Sequence, residues 1–314
     1  MKTIITEEMR LRKRIIDYAI KHNNNAAAAR RYHTSRQNVK RWRDRYDGTW
    51  DSLKNQSTRP HSHPAQHTQE ELDLIQCKYQ RYGHEGLAEV YVQCKKAGYI
   101  RSYDSMCKQI REHGWNKTEK VAKKKYPKST WKPDIVTYPG EKVQIDIKYV
   151  PMDCLKFDTH GIRYYQITAI DEYSRKRYCE IVDEKSVTHT ASFLIKLEDG
   201  LGFKVTTVQT DNGREFTNDP AVTTKLTLFE EILQEKGIDY KNTRPYSPWQ
   251  NGIVERSHRE DGERFYNRRE FSNIEALKKA HRRYINRGNN IHRKVLEFKS
   301  PNEIVEEYFS NKAA

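Results

Sequence analysis

The hydrophobic period switches from helical to alternating between residues 113 and 141, and that switch limits the fold of this chain more than any other feature. Up to residue 113 apolar residues recur at helical spacing, and from residue 141 they alternate. Val143, Ile145, Ile147 and Tyr149 are separated by Gln144, Asp146 and Lys148, the period of two of a strand with one buried face. A chain written this way is helical first and α/β afterwards.

In the helical part, residues 7–22 place Leu11, Ile15, Ile16, Ala19 and Ile20 on one face. Residues 25–32 fit a second short helix, and Thr34 or Ser35 can cap a third. That third helix, 36–46, turns Val39 and Trp42 inward and Arg36, Gln37, Lys40, Arg41 and Arg43 outward. Three short helices with a basic last one are the layout of a helix-turn-helix, whose last helix enters the major groove. Arg and Gln suit base edges there, and Lys and Arg suit phosphates. The charge distribution agrees. Residues 1–135 hold 29 Lys and Arg against 15 Asp and Glu, whereas residues 136–314 hold 29 against 28. Nearly all of the +15 net charge therefore lies in the first part, as a polyanion-binding surface requires.

Residues 56–67 read as a linker, broken by Pro60 and Pro64. Thr68 with Glu71 forms a capping-box pattern that opens a second helical unit over 68–116, similar in plan to the first and expected to bind DNA as well. Residues 117–138 form a basic tether in which Lys123, Lys124 and Lys125 could track a phosphate backbone. Further strands are expected at 162–170, 177–182, 204–210 and 238–242, with helices at 187–198, 224–236, 251–270 and 273–287. Three antiparallel strands followed by alternating helices and strands describe an α/β domain with a mixed sheet.

Other classes are poorly served. No apolar run approaches the ~20 residues that span a bilayer. The first ten residues lack the apolar stretch of a signal peptide, and five scattered cysteines contain no CxxC pair. His63 and His67 have ligand-like spacing without a cysteine pair to complete a zinc site. The chain reads as cytoplasmic, with no membrane partner.

Three carboxylates carry the chemistry. Asp146 lies inside a strand on the face opposite Ile145 and Ile147, Asp211 follows a strand directly, and Glu255 sits early in a helix. A lone Asp after a strand is more often a turn residue than a catalyst. Together, two aspartates on strands and a glutamate on a helix can converge. Clustered carboxylates repel one another unless cations neutralise them. Two Mg²⁺ ions about 3.5–4 Å apart can clamp the attacking and leaving oxygens of an in-line phosphoryl displacement.

The stretches PGEKVQIDIKYVP, TAIDEYSRKRY, VQTDNGREFTN, TRPYSPWQNGIVERSHRE and YINRGNNIHRKVLEFKSPNEI resemble the bacterial insertion-sequence transposases with a retroviral-integrase-type core. The resemblance covers residues 139–306. It implies a ribonuclease H-like core at 139–272 with a mixed five-stranded sheet, followed by a helical tail at 273–314, behind helix-turn-helix units at 1–55 and 68–116. It implies a DDE triad of Asp146, Asp211 and Glu255 holding two Mg²⁺, with Mn²⁺ as a substitute. The 43 residues between Asp211 and Glu255 exceed the family's usual spacing, with the excess in NDPAVTTKLTL. Glu215 and Glu260 are the competing glutamates, neither of them in the GIVER context. Tyr246 and Asn251 fall on the family's substrate-facing loop, Arg256 and Arg259 flank the glutamate, and Asp171 falls on a non-catalytic acidic position. Asn212 and Gly213 would hold Asp211 in a left-handed turn.

The implied activity is that of a transposase, homo-oligomeric on double-stranded DNA. It binds terminal inverted repeats, cleaves the element end and joins the 3′-hydroxyl to target DNA. A metal-dependent nuclease without strand transfer, or a DNA-binding regulator with a decayed core, are the alternatives.

Overall fold

The structure, a computed structural model, describes residues 5–57, 66–116, 135–219, 222–244 and 247–313. Most of the two expected linkers, with Lys123, Lys124 and Lys125, lies outside the described residues, as does Tyr246. The chain divides into two compact units, Met1–Gln66 and His67–Ala314.

The first unit holds α1 (Glu7–Lys21), α2 (Asn25–Arg31) and α3 (Arg36–Arg45). Each starts at a side-chain cap: Thr6 accepts from the Met9 amide, Asn24 from those of Ala26 and Ala27, and Ser35 from that of Asn38. Ile15, Ala19, Ala28, Ala29 and Val39 form the centre. Met9 and Ile16 pack on Leu53, which a 3-10 turn at Asp51–Leu53 delivers, and Trp42 borders both clusters. Leu11 and Ile20, expected in the core, are instead 41% and 50% exposed. At 100° per residue the stripe of Met9, Ile15, Ile16 and Ala19 leaves these two on its opposite edges.

In the second unit, α4 (Gln69–Tyr82), α5 (Leu87–Lys96) and α6 (Tyr103–Glu112) close around Ile75, Val90, Cys94, Met106 and Ile110. The Thr68–Glu71 capping box is formed. These helices are joined to the chain's C-terminal part. Glu89 accepts from the His292 amide and its Nδ1 at 2.9 and 2.6 Å, Arg287 forks onto Glu85 at 2.7 Å, and the Tyr91 and Tyr103 rings flank Phe298.

The sheet is β1 (Val143–Tyr149), β2 (Tyr165–Asp171), β3 (Arg177–Val182), β4 (Thr207–Thr210) and β5 (Asp239–Asn242), in the order β3-β2-β1-β4-β5. The first three strands are antiparallel neighbours, and β4 and β5 run parallel to β1. The crossovers α7 (Val187–Ile195), α8 (Leu197–Leu201) and α9 (Leu228–Lys236) cover one face, burying Val143, Ile145, Ile167, Phe193, Leu194, Phe229 and Leu233. This is the ribonuclease H-like, mixed five-stranded sheet that the motifs implied. Helix α9 starts four residues later than its periodicity suggested, because Thr227 and Glu230 form a capping box there. The other face meets α10 (Gly252–Arg264) and α11 (Ile274–Gly288), and α12 (Pro301–Ala313) ends the chain.

Candidate active site

The polar side of β1 is where the strand meets α10. Asp146 is half-buried, its Oδ1 accepts from the Ile147 amide at 2.8 Å, and His258 Nδ1 lies 3.3 Å from its Oδ2. Two residues on, Lys148 donates to the His258 carbonyl at 2.7 Å. Helix α10 presents Val254, Ser257, His258 and Asp261 to the sheet, an i, i+3, i+4, i+7 stripe. Asp261 pairs with Arg177 at 2.8 Å and accepts from Gln166 at 2.9 Å.

The register of the parallel pair matches Val143 with Val208 and Gln144 with Gln209. Carried two residues further, it sets Asp146 level with Asp211, at the carboxyl end of β4, where open α/β sheets bind their ligands. Asp211 Oδ1 accepts from the Gly213 amide at 3.1 Å, and Asn212 donates to the Thr243 carbonyl at 2.9 Å. This corrects the expected left-handed turn, for neither Asn212 nor Gly213 has a positive φ. The aspartate's own side chain closes the turn. A Cβ at 213 would come within 2.3 Å of the Glu215 carboxylate, so any larger residue there would have to displace that side chain.

The start of α10 is tied to the same two strands. Gln144 and Gln209 both donate to the Gln250 carbonyl at 3.0 Å. The Val254 amide donates to Gln144 Oε1 at 3.1 Å, and Gln209 also reaches Asn251 Oδ1 at 2.9 Å. Glu255, exposed, follows directly.

Asp211 and Glu255 both feel the charge of Asp146. Burial raises the Asp211 carboxyl above its usual range; the Gly213 amide opposes this, and the charges of Asp146 and Glu215 add to it. Burial likewise raises Glu255, followed by the charge of Asp146; His258 opposes, and Asp211 adds a smaller push. Lys185, 2.7 Å from Glu215, is the cation facing Asp211. Among the described residues no three His, Cys, Asp or Glu side chains form a ready-made metal cage. The donor chemistry nevertheless fits Mg²⁺: hard oxygens, mutually repelling, for an ion that takes one or two carboxylates and completes its shell with water and substrate phosphate.

The expected DNA contacts divide. Arg36, Gln37, Lys40 and Arg41 are exposed on α3. Arg43 is not turned outward as expected; its guanidinium bonds Asn25 and Asn23 at 3.1 and 3.2 Å and ties α3 to the α1–α2 turn. Asn251 is buried against Gln209 rather than facing substrate. Arg259 is exposed, and Arg256 makes an exposed pair with Glu260 at 3.5 Å. The competitor Glu215 is buried and paired with Lys185. Asp171 is buried and accepts from Gly140 and Ser174, holding a turn. Gln144, Gln209, His258 and Lys185 escaped the sequence reading. The first two were signalled by polar residues on the inner side of strands, two before each Asp.

Residues 136–248 match the Integrase core domain family, residues 236–294 match a second Integrase core domain family, and residues 11–61 match a Helix-turn-helix domain family. The ORF3 protein of Spiroplasma virus SpV1-C74, an integrase by name, is 30% identical over 124 residues, which is 37% of this chain and 33% of that protein. The chain thus spans a third of the length of this relative. The crystal structure of the catalytic core domain of BIV integrase superposes with a TM-score of 0.41 at 20% identity, over 56% of this chain and 99% of that one. No helix among the described residues is long and apolar enough to cross a membrane. A helix-turn-helix match thus stands ahead of integrase-core matches whose residues include Asp146, Asp211 and Glu255, an order that supports an insertion-sequence transposase with an integrase-type core.

Proposed function

We propose that the protein is a DNA transposase. It binds the terminal inverted repeats of its element through the α1–α3 unit, hydrolyses the phosphodiester at the element end, and joins the freed 3′-hydroxyl to target DNA. The observation that supports this most is the parallel register that sets Asp146 level with Asp211, with Glu255 on a helix tied to both strands. Asp146, Asp211 and Glu255 are the residues to hold Mg²⁺, or Mn²⁺ in its place. When bound, the metal would polarise the attacking oxygen and offset charge building on the phosphate. Both steps exchange one oxygen for another at phosphorus, so no side chain bonds covalently to DNA. Arg259, and Arg256 once it leaves Glu260, lie on α10 where they can meet phosphates flanking the cut. Joining two ends calls for at least two copies of the chain on the DNA.

The test is an assay with DNA carrying the element's own ends, a supercoiled target and Mg²⁺. Wild type is expected to nick at the end and to yield joined product. Asp211→Asn should lose at least about 100-fold of both steps while still shifting the DNA. An Asp211→Asn variant that cuts like wild type overturns the proposal, and cleavage without any joined product reduces it to a nuclease.

A further inference from the structure

We infer that Gln144 and Gln209 are positioning residues that set where Glu255 stands relative to Asp146 and Asp211; the inference rests on the three-carboxylate reading above. Both are buried, 2% and 6% exposed. Strand patterning offers apolar residues for such sites, and a buried amide there needs hydrogen-bond partners. Gln144 donates to Gln250 O at 3.0 Å and to Glu172 at 2.7 Å, and accepts from Val254 N at 3.1 Å. Gln209 donates to the same Gln250 O at 3.0 Å and to Asn251 at 2.9 Å.

The need for these bonds lies in α10 itself. Its N-cap residue, Asn251, makes no side-chain hydrogen bond to the first turn. The free amide of Val254, at the third helical position, is capped from another element by Gln144. The strand that carries Asp146 therefore supplies the cap of the helix that carries Glu255, and the strand that carries Asp211 holds the residues just before it. Each glutamine lies two residues before its aspartate, on the same strand face and about 7 Å away. The segments that carry the three carboxylates are thus tied together by hydrogen bonds within the protein, ahead of any ion.

Gln144→Met and Gln209→Met keep the volume and remove the bonds. In the full chain without DNA, Mn²⁺ affinity should fall about 10- to 100-fold, the range for lost supports of metal ligands. The Val254 amide should exchange faster in Gln144→Met. With DNA ends, kcat should fall by a similar factor while KM for DNA stays put. Gln144→Glu keeps the acceptor for Val254 N and should retain that amide's protection. If both Met variants bind Mn²⁺ and turn over like wild type, with only a lower melting temperature, the inference is overturned while the three-carboxylate reading stands. A wild type that neither binds Mn²⁺ nor cuts overturns that reading and the inference with it.

Discussion

Helices α3 and α10 both carry rich polar faces and use them in opposite ways. On α3 only Val39 is buried, and Arg36, Gln37 and Lys40 stand exposed without an ion pair among the described residues. On α10 one polar stripe turns inward: His258 to Asp146, Asp261 to Arg177 and Gln166, and Ser257 to the Val254 carbonyl. A surface meant for an outside partner keeps its donors in water until that partner arrives. A site that must hold like charges close together needs a scaffold whose own hydrogen bonds are complete.

The largest effect is expected at Asp261. Arg177→Met would leave a buried carboxylate without its counter-charge, and unfolding in urea should show a loss of about 3–5 kcal/mol. Asp261 is buried, which raises its carboxyl, yet the Arg177 guanidinium and the Gln166 amide hold it down at about 2. Between that value and the ordinary aspartate range the unfolded chain binds the extra proton. Stability from this group is therefore full above the ordinary range and falls as pH drops toward 2. Asp261→Asn should flatten that part of the acid-stability curve.

Changes on α3 should be smaller and of another kind. Arg36→Ala or Gln37→Ala should reduce discrimination between end and random DNA by about 1–3 kcal/mol if the side chain reads a base edge. Lys40→Ala should weaken both DNAs alike and lower the salt slope by about 1. All three should change unfolding free energy by no more than about 0.5 kcal/mol. A large loss of stability with unchanged binding would show that α3 resembles α10 after all.

The same division separates what local sequence patterns specify from what distant partners specify. The period change at residue 141, the capping signals at Ser35 and Thr68 and the alternation in β1 are local patterns, and they gave the elements. The motif strings pointed to the three carboxylates proposed for the site. What stayed hidden depends on partners distant in the chain. Arg43 read as an outward cation, because nothing nearby shows that Asn23 and Asn25 would take it. Asn251 read as a loop contact, because Gln209 is 42 residues away. Helices α4–α6 read as a free-standing unit, whereas Glu89 meets His292 across 203 positions.

On the proposed reading, Asp146, Asp211 and Glu255 form a repelling cluster that receives a divalent cation. Its most direct test is the melting temperature of wild type and Asp211→Asn across pH, with and without Mg²⁺. The raised Asp211 and Glu255 carboxyls make the folded state hold protons longer than the unfolded one. Metal-free wild type should therefore lose stability from these groups as pH rises above the ordinary carboxylate range, and Asp211→Asn should be the more stable protein at neutral pH. Mg²⁺ should stabilise wild type, by about 2.7 kcal/mol at a hundred times its Kd, and Asp211→Asn far less. Equal stability of the two proteins without metal, together with equal responses to Mg²⁺, would show that the three carboxylates form no such cluster.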